Sequence, residues 1–185
     1  CKSRKSAERT LKNIIPFIEG KLFLKVNRKK TEVAHISKVK YLGYTFYRYK
    51  GKCRFRVHQK SVEKMRNKIR ELTDRNKGIS NEEREKKYQE YVRGWIEYFR
   101  LADMKGLLQA TDKWARRRIR AVYWKQWKKI KTKYRILRAL GMEQWKAKEL
   151  ACSRKGCWRM AQVLNTVIAN KIITKLGYIS MLGYY

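Results

Sequence analysis

Residues 113–142 hold Lys113, Arg116, Arg117, Arg118, Arg120, Lys125, Lys128, Lys129, Lys131, Lys133, Arg135 and Arg138, with no Asp or Glu among them. Trp114, Tyr123, Trp124, Trp127 and Tyr134 are interleaved with these cations. The cations can neutralise phosphates, and the indole and phenol rings can stack on bases. In an isolated fold so many uncompensated positive charges repel one another, so the pattern calls for a polyanionic partner. The aromatic content points to nucleic acid rather than to a lipid surface.

The whole chain has the same bias. Lys plus Arg is 49 and Asp plus Glu is 15, giving a formal charge of +34 over 185 residues. A balance this far from zero argues for a nucleic-acid partner and says nothing about fold. Hydrophobic residues make up 43%, with six Trp and twelve Tyr, so the chain can bury a core and is not a disordered tail. No apolar run approaches the roughly 18–20 residues that a membrane span needs. No signal peptide is visible, and a protein with no membrane partner is expected.

Other chemistry is less favoured. The fifteen acids form no cluster of the kind that holds a metal pair in polymerases and nucleases. Glu82 and Glu83 sit at a helix start, where the dipole favours them. Asp103 and Asp112 are isolated, each a candidate helix cap or ion-pair partner. No Gly-rich phosphate loop, nucleophile elbow or Cys–His pairing appears. Cys1, Cys53, Cys152 and Cys157 form no disulfide framework, which fits a reducing compartment. Cys152 and Cys157 lack the second close ligand pair of a zinc site, with His35 and His58 far off in sequence. Cys152 is expected to pack and Cys157 to lie near the surface. The residues alone describe a chain that binds, with no catalytic residue and no metal ligand among the candidates.

The elements that position these residues follow from periodicity. Residues 3–19 read as a helix that Pro16 should kink or end, with Gly20 as a stop. Residues 21–26 alternate as a short strand, and 27–31 form a basic turn. Residues 39–57 read as a β-hairpin turning at residues 50–52. Gly43, inside the first strand, signals a bulge or a close backbone approach. Phe55 and Val57 should face a core, with Arg54 and Arg56 outward.

From Ser61 the period lengthens. Val62, Met65, Ile69 and Leu72 form one helical stripe, and Asn76-Lys-Gly ends that helix. Ser80 and Glu83 open the next as a capping box, with Tyr88, Tyr91, Val92, Trp95, Phe99 and Ala102 as its stripe. This helix carries Glu82, Glu83, Glu85, Glu90 and Glu97, so it is the element least suited to phosphate. A third helix starts near Met104, with Leu107, Leu108, Thr111, Trp114, Ala115, Ile119 and Val122 on its apolar side. Three such helices with short loops make a small bundle. Residues 142–150 read as a short helix, 153–156 as a basic loop and 158–176 as a helix closed by Gly177. The apolar tail 178–185 should dock on the body.

Several segments resemble one family, the reverse transcriptase/maturases encoded by bacterial group II introns. Leu-Phe-Leu-Lys-Val-Asn-Arg-Lys-Lys-Thr-Glu-Val at 22–33 resembles the late palm motif, and Tyr-Leu-Gly-Tyr-Thr-Phe at 41–46 the palm-to-thumb hairpin. Gly-Trp-Ile-Glu-Tyr-Phe-Arg-Leu-Ala at 94–102 and Trp-Ala-Arg-Arg-Arg-Ile-Arg at 114–120 resemble the thumb, or maturase-specific, region. Trp-Lys-Gln-Trp-Lys-Lys at 124–129, Arg-Lys-Gly-Cys-Trp-Arg at 154–159 and Gly-Tyr-Ile-Ser-Met-Leu at 177–182 resemble the blocks that follow. The blocks occur in the family's order. Cys157 stands where members often carry Tyr.

The resemblance implies an α+β, mainly α fold: an N-terminal helix plus β-hairpin as the remnant of a polymerase palm, then a three-helix thumb bundle and a basic helical extension. The implied divisions are 1–58 for the end of the palm, 59–125 for the thumb and 126–185 for the extension. The family's Tyr-X-Asp-Asp box is absent here, so the chain reads as a C-terminal fragment that is incomplete as a polymerase. The exposed edge of its partial palm is expected to be apolar. The implied partners are structured group II intron RNA, a template–primer duplex and the fingers and palm of the same polymerase. No cofactor is implied for this chain, and Mg²⁺ is implied for the intact enzyme. The implied location is the bacterial cytoplasm.

The candidate contacts follow. Arg116, Arg117 and Arg120 share a helix face that is read as touching RNA, against the alternative of a solvated face. Lys125, Lys128, Lys129, Lys131, Lys133, Tyr134 and Arg135 continue the grip beyond the bundle. Trp114 is at core spacing. Trp124 and Trp127 are divided evenly between core and stacking roles. Arg154, Lys155 and Arg159 flank a glycine in a basic loop suited to phosphate. Lys30 matches a late-palm lysine of the family and is an electrostatic contact here. The rival readings are a stand-alone RNA- or DNA-binding module with no polymerase role, and an enzyme in its own right.

Overall fold

The computed structural model describes residue 1 and residues 3–185. Helix α1 spans Arg4–Gly20, and the Ser3 side chain accepts the Ser6 amide at its start. The helix continues through Pro16 to Gly20, so the glycine and not the proline marks its end. None of its residues is buried. The strand expected over 21–26 does not form. Phe23 takes a φ of 54°, and Leu22, Phe23 and Leu24 are exposed. Alternation makes a strand only where a neighbouring strand and a covering layer reward it, and this segment has neither. Exposed Ile14, Phe17, Ile36, Tyr41 and Leu42 continue the apolar surface of this end.

Three antiparallel strands follow, β1 (Lys40–Tyr41), β2 (Tyr44–Tyr49) and β3 (Lys52–Val57), in that order across the sheet. The hairpin read over 39–57 is therefore two hairpins. The second turns at Lys50-Gly51 as expected, with Tyr49 opposite Lys52. The first turns at Leu42-Gly43, with Tyr41 opposite Tyr44. Leu42 and Gly43 both have positive φ, 49° and 82°, the signature of a type I′ turn. Gly43 also makes the close approach that its type suggested. A Cβ there would lie 3.0 Å from Ser61 Oγ and 3.1 Å from the Phe99 ring. Val57 is buried, while Phe55 stays partly exposed, edge-on to Phe46.

Eight more helices complete the described chain. They are α2 (Gln59–Leu72), α3 (Asn81–Tyr98), α4 (Lys105–Gln126), α5 (Ile130–Ala139), α6 (Gln144–Cys152), α7 (Cys157–Val163), α8 (Asn170–Lys175) and α9 (Met181–Tyr184). His58 Nδ1 accepts the Lys60 amide to start α2, two residues before the expected Ser61. The helix ends at Leu72, earlier than the Asn76-Lys-Gly signal. Ser80 Oγ accepts the Glu83 amide at 3.1 Å, so half of the capping box is present. The Glu83 carboxylate turns instead to Lys87.

The helix expected over 158–176 is broken into α7 and α8. The chain leaves helical geometry so that Leu164, Ile168 and Ile173 can all reach the interior. Gly177, at a φ of 91°, closes α8, with Gly177 N–H donating to Thr174 O and Tyr178 N–H to Ile173 O. The Glu85 side chain lies across the place a Cβ at Gly177 would occupy and would have to swing aside, and the positive φ favours glycine in any case.

One hydrophobic core runs from Val57 to Met181. Met65, Ile69, Tyr88, Val92, Ile96, Leu108 and Ile119 fill its centre, each at 1% exposure or less. Burying each large side chain contributes about 1.5–3 kcal/mol. The core continues through α6, α7, α8 and α9 without a break at residues 125–126. The apolar tail docks as expected. Tyr178 and Met181 are buried, and Tyr185 Oη donates to Ala102 O at 2.8 Å.

Candidate nucleic-acid interface

Helix α4 is covered on more than one side. Its apolar stripe meets the bundle, and α7 and α9 pack elsewhere along it. In its last turns Ile119, Arg120, Ala121, Val122 and Trp124 are all buried. The arginines of this helix are therefore largely committed to the fold. Arg120 is 4% exposed and donates to Ile168 O and Asn170 Oδ1, both at 2.8 Å. Arg118 donates to Thr73 Oγ1 at 2.7 Å and to the carbonyls of Arg70 and Thr73. Arg117 lies over the Trp158 ring at 4.1 Å and donates to Trp158 O. Arg116 reaches towards Asp112, with Nη2 3.8 Å from Oδ2.

Arg118 holds carbonyls at the C-terminal end of α2, where the backbone dipole is negative, whereas Arg117 and Arg120 hold carbonyls in the first turn of α7 and in the loop before α8. Each such charged hydrogen bond contributes about 1.5–3 kcal/mol. Burial, with the nearby Arg116 charge second, pushes the Arg120 guanidinium down to about 10, so it stays charged at neutral pH. Burial lowers Arg118 as well, with the Arg70 charge next in weight.

Arg120, expected as an RNA contact, is buried, and its Nε and Nη2 are bonded to the loop between α7 and α8. Trp124 and Trp127, at 3% and 9% exposure, leave the stacking list too. Their rings meet edge to face in the core at 5.9 Å. Trp114, placed in the core by its spacing, is half-buried against that core, with Arg70 and Arg118 over its ring.

The surface beyond α4 is different. Lys125, Lys128, Lys129, Lys131 and Arg135 are exposed, and Lys133 and Tyr134 are half-buried. Lys129, Lys131, Thr132, Tyr134, Arg135 and Arg138 line one open concavity on α5. Among the described residues none of these cations is in an ion pair. Lys133 is the partial exception to freedom, because its ammonium sits 4.6 Å from the centre of the Trp124 ring. Arg138 is also tied, to Met142 O at 2.7 Å. The helix can offer this surface because Leu137 is its only fully buried residue.

Arg154, Lys155 and Arg159 are exposed around Gly156, at the start of α7. Lys30 lies in an exposed turn between α1 and the sheet. Cys152 is exposed and Cys157 half-buried, the reverse of the expected order. Cys157 sits under α7 against the core, whereas Cys152 ends α6 at the surface.

One structural side chain was not singled out by the sequence reading. Arg84 is 1% exposed and holds Leu72 O, Asp74 O and Lys77 O, tying down the loop between α2 and α3. Its four-residue spacing from Tyr88 and Val92 placed it on the apolar stripe and was the available signal. Asp112 is a cap after all, but of a distant helix. Its carboxylate accepts from Ser180 Oγ at 2.7 Å, Met181 N at 2.9 Å and Leu182 N at 3.1 Å, at the start of α9.

Asp112 is spent on α9, and Asp103 is engaged by Tyr47 and Arg54. Among the described residues no group of three His, Cys, Asp or Glu side chains converges. No helix among them is long and apolar enough to cross a membrane.

No curated protein matches the chain significantly. One family model does match, that of the group II intron, maturase-specific domain, over residues 62–141. The match begins at Val62, the first buried residue of α2, and ends at Gly141, just past α5. It therefore covers the bundle and the basic α5 surface together. The helical body of residues 62–141 is a group II intron maturase-specific domain.

Proposed function

We propose that this chain binds group II intron RNA, chiefly through the free cations of α5 and of the two residues before it, and so assists splicing. The observation that carries this reading is the unpaired basic surface of Lys128, Lys129, Lys131 and Arg135 inside a maturase-specific domain. The chemistry of splicing stays with the RNA. The protein neutralises phosphates that the folded intron brings close together, and it holds their spacing on a rigid helix. Arg154, Lys155 and Arg159 add a second set of phosphate contacts. In a protein that also carries the fingers and palm of a reverse transcriptase, the same surface would hold a template–primer duplex. Mg²⁺-dependent polymerisation would belong to those parts.

The test is binding of a group II intron RNA, against an unrelated structured RNA of equal length, across a salt series. The expected result is a steep fall of affinity with salt and a preference for the intron that survives at physiological ionic strength. Equal binding of both RNAs at all salts would favour the rival reading, a basic module without an intron partner.

A further inference from the structure

Beside Arg116 and Arg117, α4 and α7 enclose an open groove of about 320 Å³, floored by Ala161 and edged by Lys113, Gln162 and Asn165. Lys113 is exposed and Arg116 half-buried. No carboxylate lines the groove. Asp112, whose Oδ2 lies 3.8 Å from Arg116, is hydrogen-bonded to the start of α9. Arg120 and Asn170 are bonded to each other at the far wall, which fixes the loop that carries Asn165. At the near edge Arg117 joins the groove to Trp158. Its guanidinium spans the indole ring and the Trp158 carbonyl, which locks the ring's orientation. Trp158 is nevertheless 41% exposed. Arg117 covers one face of the indole, and the side of the ring that remains open to solvent is an oriented surface on which a base can stack.

We infer that the rim of this groove takes one unpaired nucleotide of the bound RNA, its phosphate in the groove at Lys113 and Arg116 and its base outside the groove, on the open side of Trp158. The inference rests on the reading of the chain as an RNA-binding protein. Bases in a helix are already stacked and hidden, so an aromatic shelf discriminates for a bulged or looped nucleotide. Gln162 and Asn165 offer exposed amides, each able to donate and accept at a base edge. The rim therefore does different work from α5. The α5 cations read charge density, whereas the rim reads a base out of its stack. Arg120 is a positioning residue for it, acting through Asn170 and the Ile168 carbonyl.

The experiment uses the full chain and three RNA hairpins of the same stem: one with a single bulged adenosine, one with an abasic residue at the bulge, and one fully paired. Wild type is expected to bind the adenosine bulge about tenfold more tightly than the abasic bulge, within the range for stacking one base. Trp158→Ala should bind the two bulged RNAs equally. Trp158→Phe should keep most of the preference and guards against a folding defect in the alanine variant. Lys113→Ala should weaken binding of both bulged RNAs by the same factor. Equal wild-type affinity for the adenosine and abasic bulges overturns the proposal and leaves general RNA binding standing. So does a preference that survives Trp158→Ala. Failure to bind any of the hairpins overturns the general reading with it.

Discussion

Helices α4 and α5 carry similar charge in sequence and use it in opposite ways. On α4 Arg117, Arg118 and Arg120 donate to backbone oxygens at the ends and in the loops of other elements. On α5 the lysines meet almost nothing, because Leu137 alone is fully buried. The chemistry of the two side chains matches the split. A guanidinium has a planar fork of donors and is weakly hydrated, so it can be buried against several carbonyls. An ammonium is compact and strongly hydrated, and it stays in water until a phosphate replaces that water. A count of positive charge does not separate the two roles. The partner of each helix face does.

The comparison breaks most readily at the junction of the two helices. Trp124→Ala should cost about 3–5 kcal/mol of unfolding free energy in denaturant titration, because the ring is core and not a stacking platform. A loss of RNA affinity with unchanged stability would return Trp124 to the interface. Next in size is Asp112→Ala, which strips α9 of its cap. Losing these bonds should cost about 2–3 kcal/mol, and hydrogen exchange should show the tail 178–185 opening first. A tail that stays protected would mean that Tyr178 and Met181 hold it unaided.

Lys133→Leu sharpens the comparison within α5 itself. Its ammonium lies over Trp124, so the change should leave stability within about 1 kcal/mol and lower the salt slope of RNA binding less than Lys131→Ala does. Equal slopes for the two variants would show that the ring does not hold Lys133 back. The smallest effect concerns Glu71, which is exposed and bonded to Lys68 and Lys77. Those two partners hold its carboxyl down at about 2. A group lowered in the folded state stabilises above its unfolded value and loses that contribution as pH falls through the folded one. The wild type should therefore lose a small, salt-screened increment between pH 4.5 and 2 that Glu71→Gln does not show. Parallel stability curves for the two proteins over that window would remove Glu71 from the account.

Much of this was legible in the residues. The stripe of α2, the Ser80 cap, the docked tail and the apolar N-terminal surface follow from spacing and type. So does the maturase resemblance, whose blocks at 94–102 and 114–120 fall inside the matched domain. The failures share one cause. Arg120, Trp124 and Trp127 were read from neighbours in sequence, and those are basic. Arg120 meets Ile168 and Asn170, about 50 residues on, and Trp124 and Trp127 turn into a core assembled from the whole of the chain past Val57. The break between α7 and α8 was hidden for the same reason, since the Ile168 carbonyl is released from helix geometry to meet Arg120. The missing strand at 21–26 shows the reverse case, a good local pattern with no partner.

The division of labour is tested most directly by crossing two variants with two readouts. One variant is Arg120→Met and the other is Lys128→Ala, Lys129→Ala and Lys131→Ala combined. Each is measured for unfolding free energy and for the salt slope of intron RNA binding. Arg120→Met should lose about 2–3 kcal/mol of stability with its slope unchanged, and the triple variant should keep its stability and lose about 2–3 from the slope. A triple variant that keeps the wild-type slope, or an Arg120→Met protein as stable as wild type with a reduced slope, would contradict the assignment of Arg120 to the fold and of the cations at α5 to the RNA.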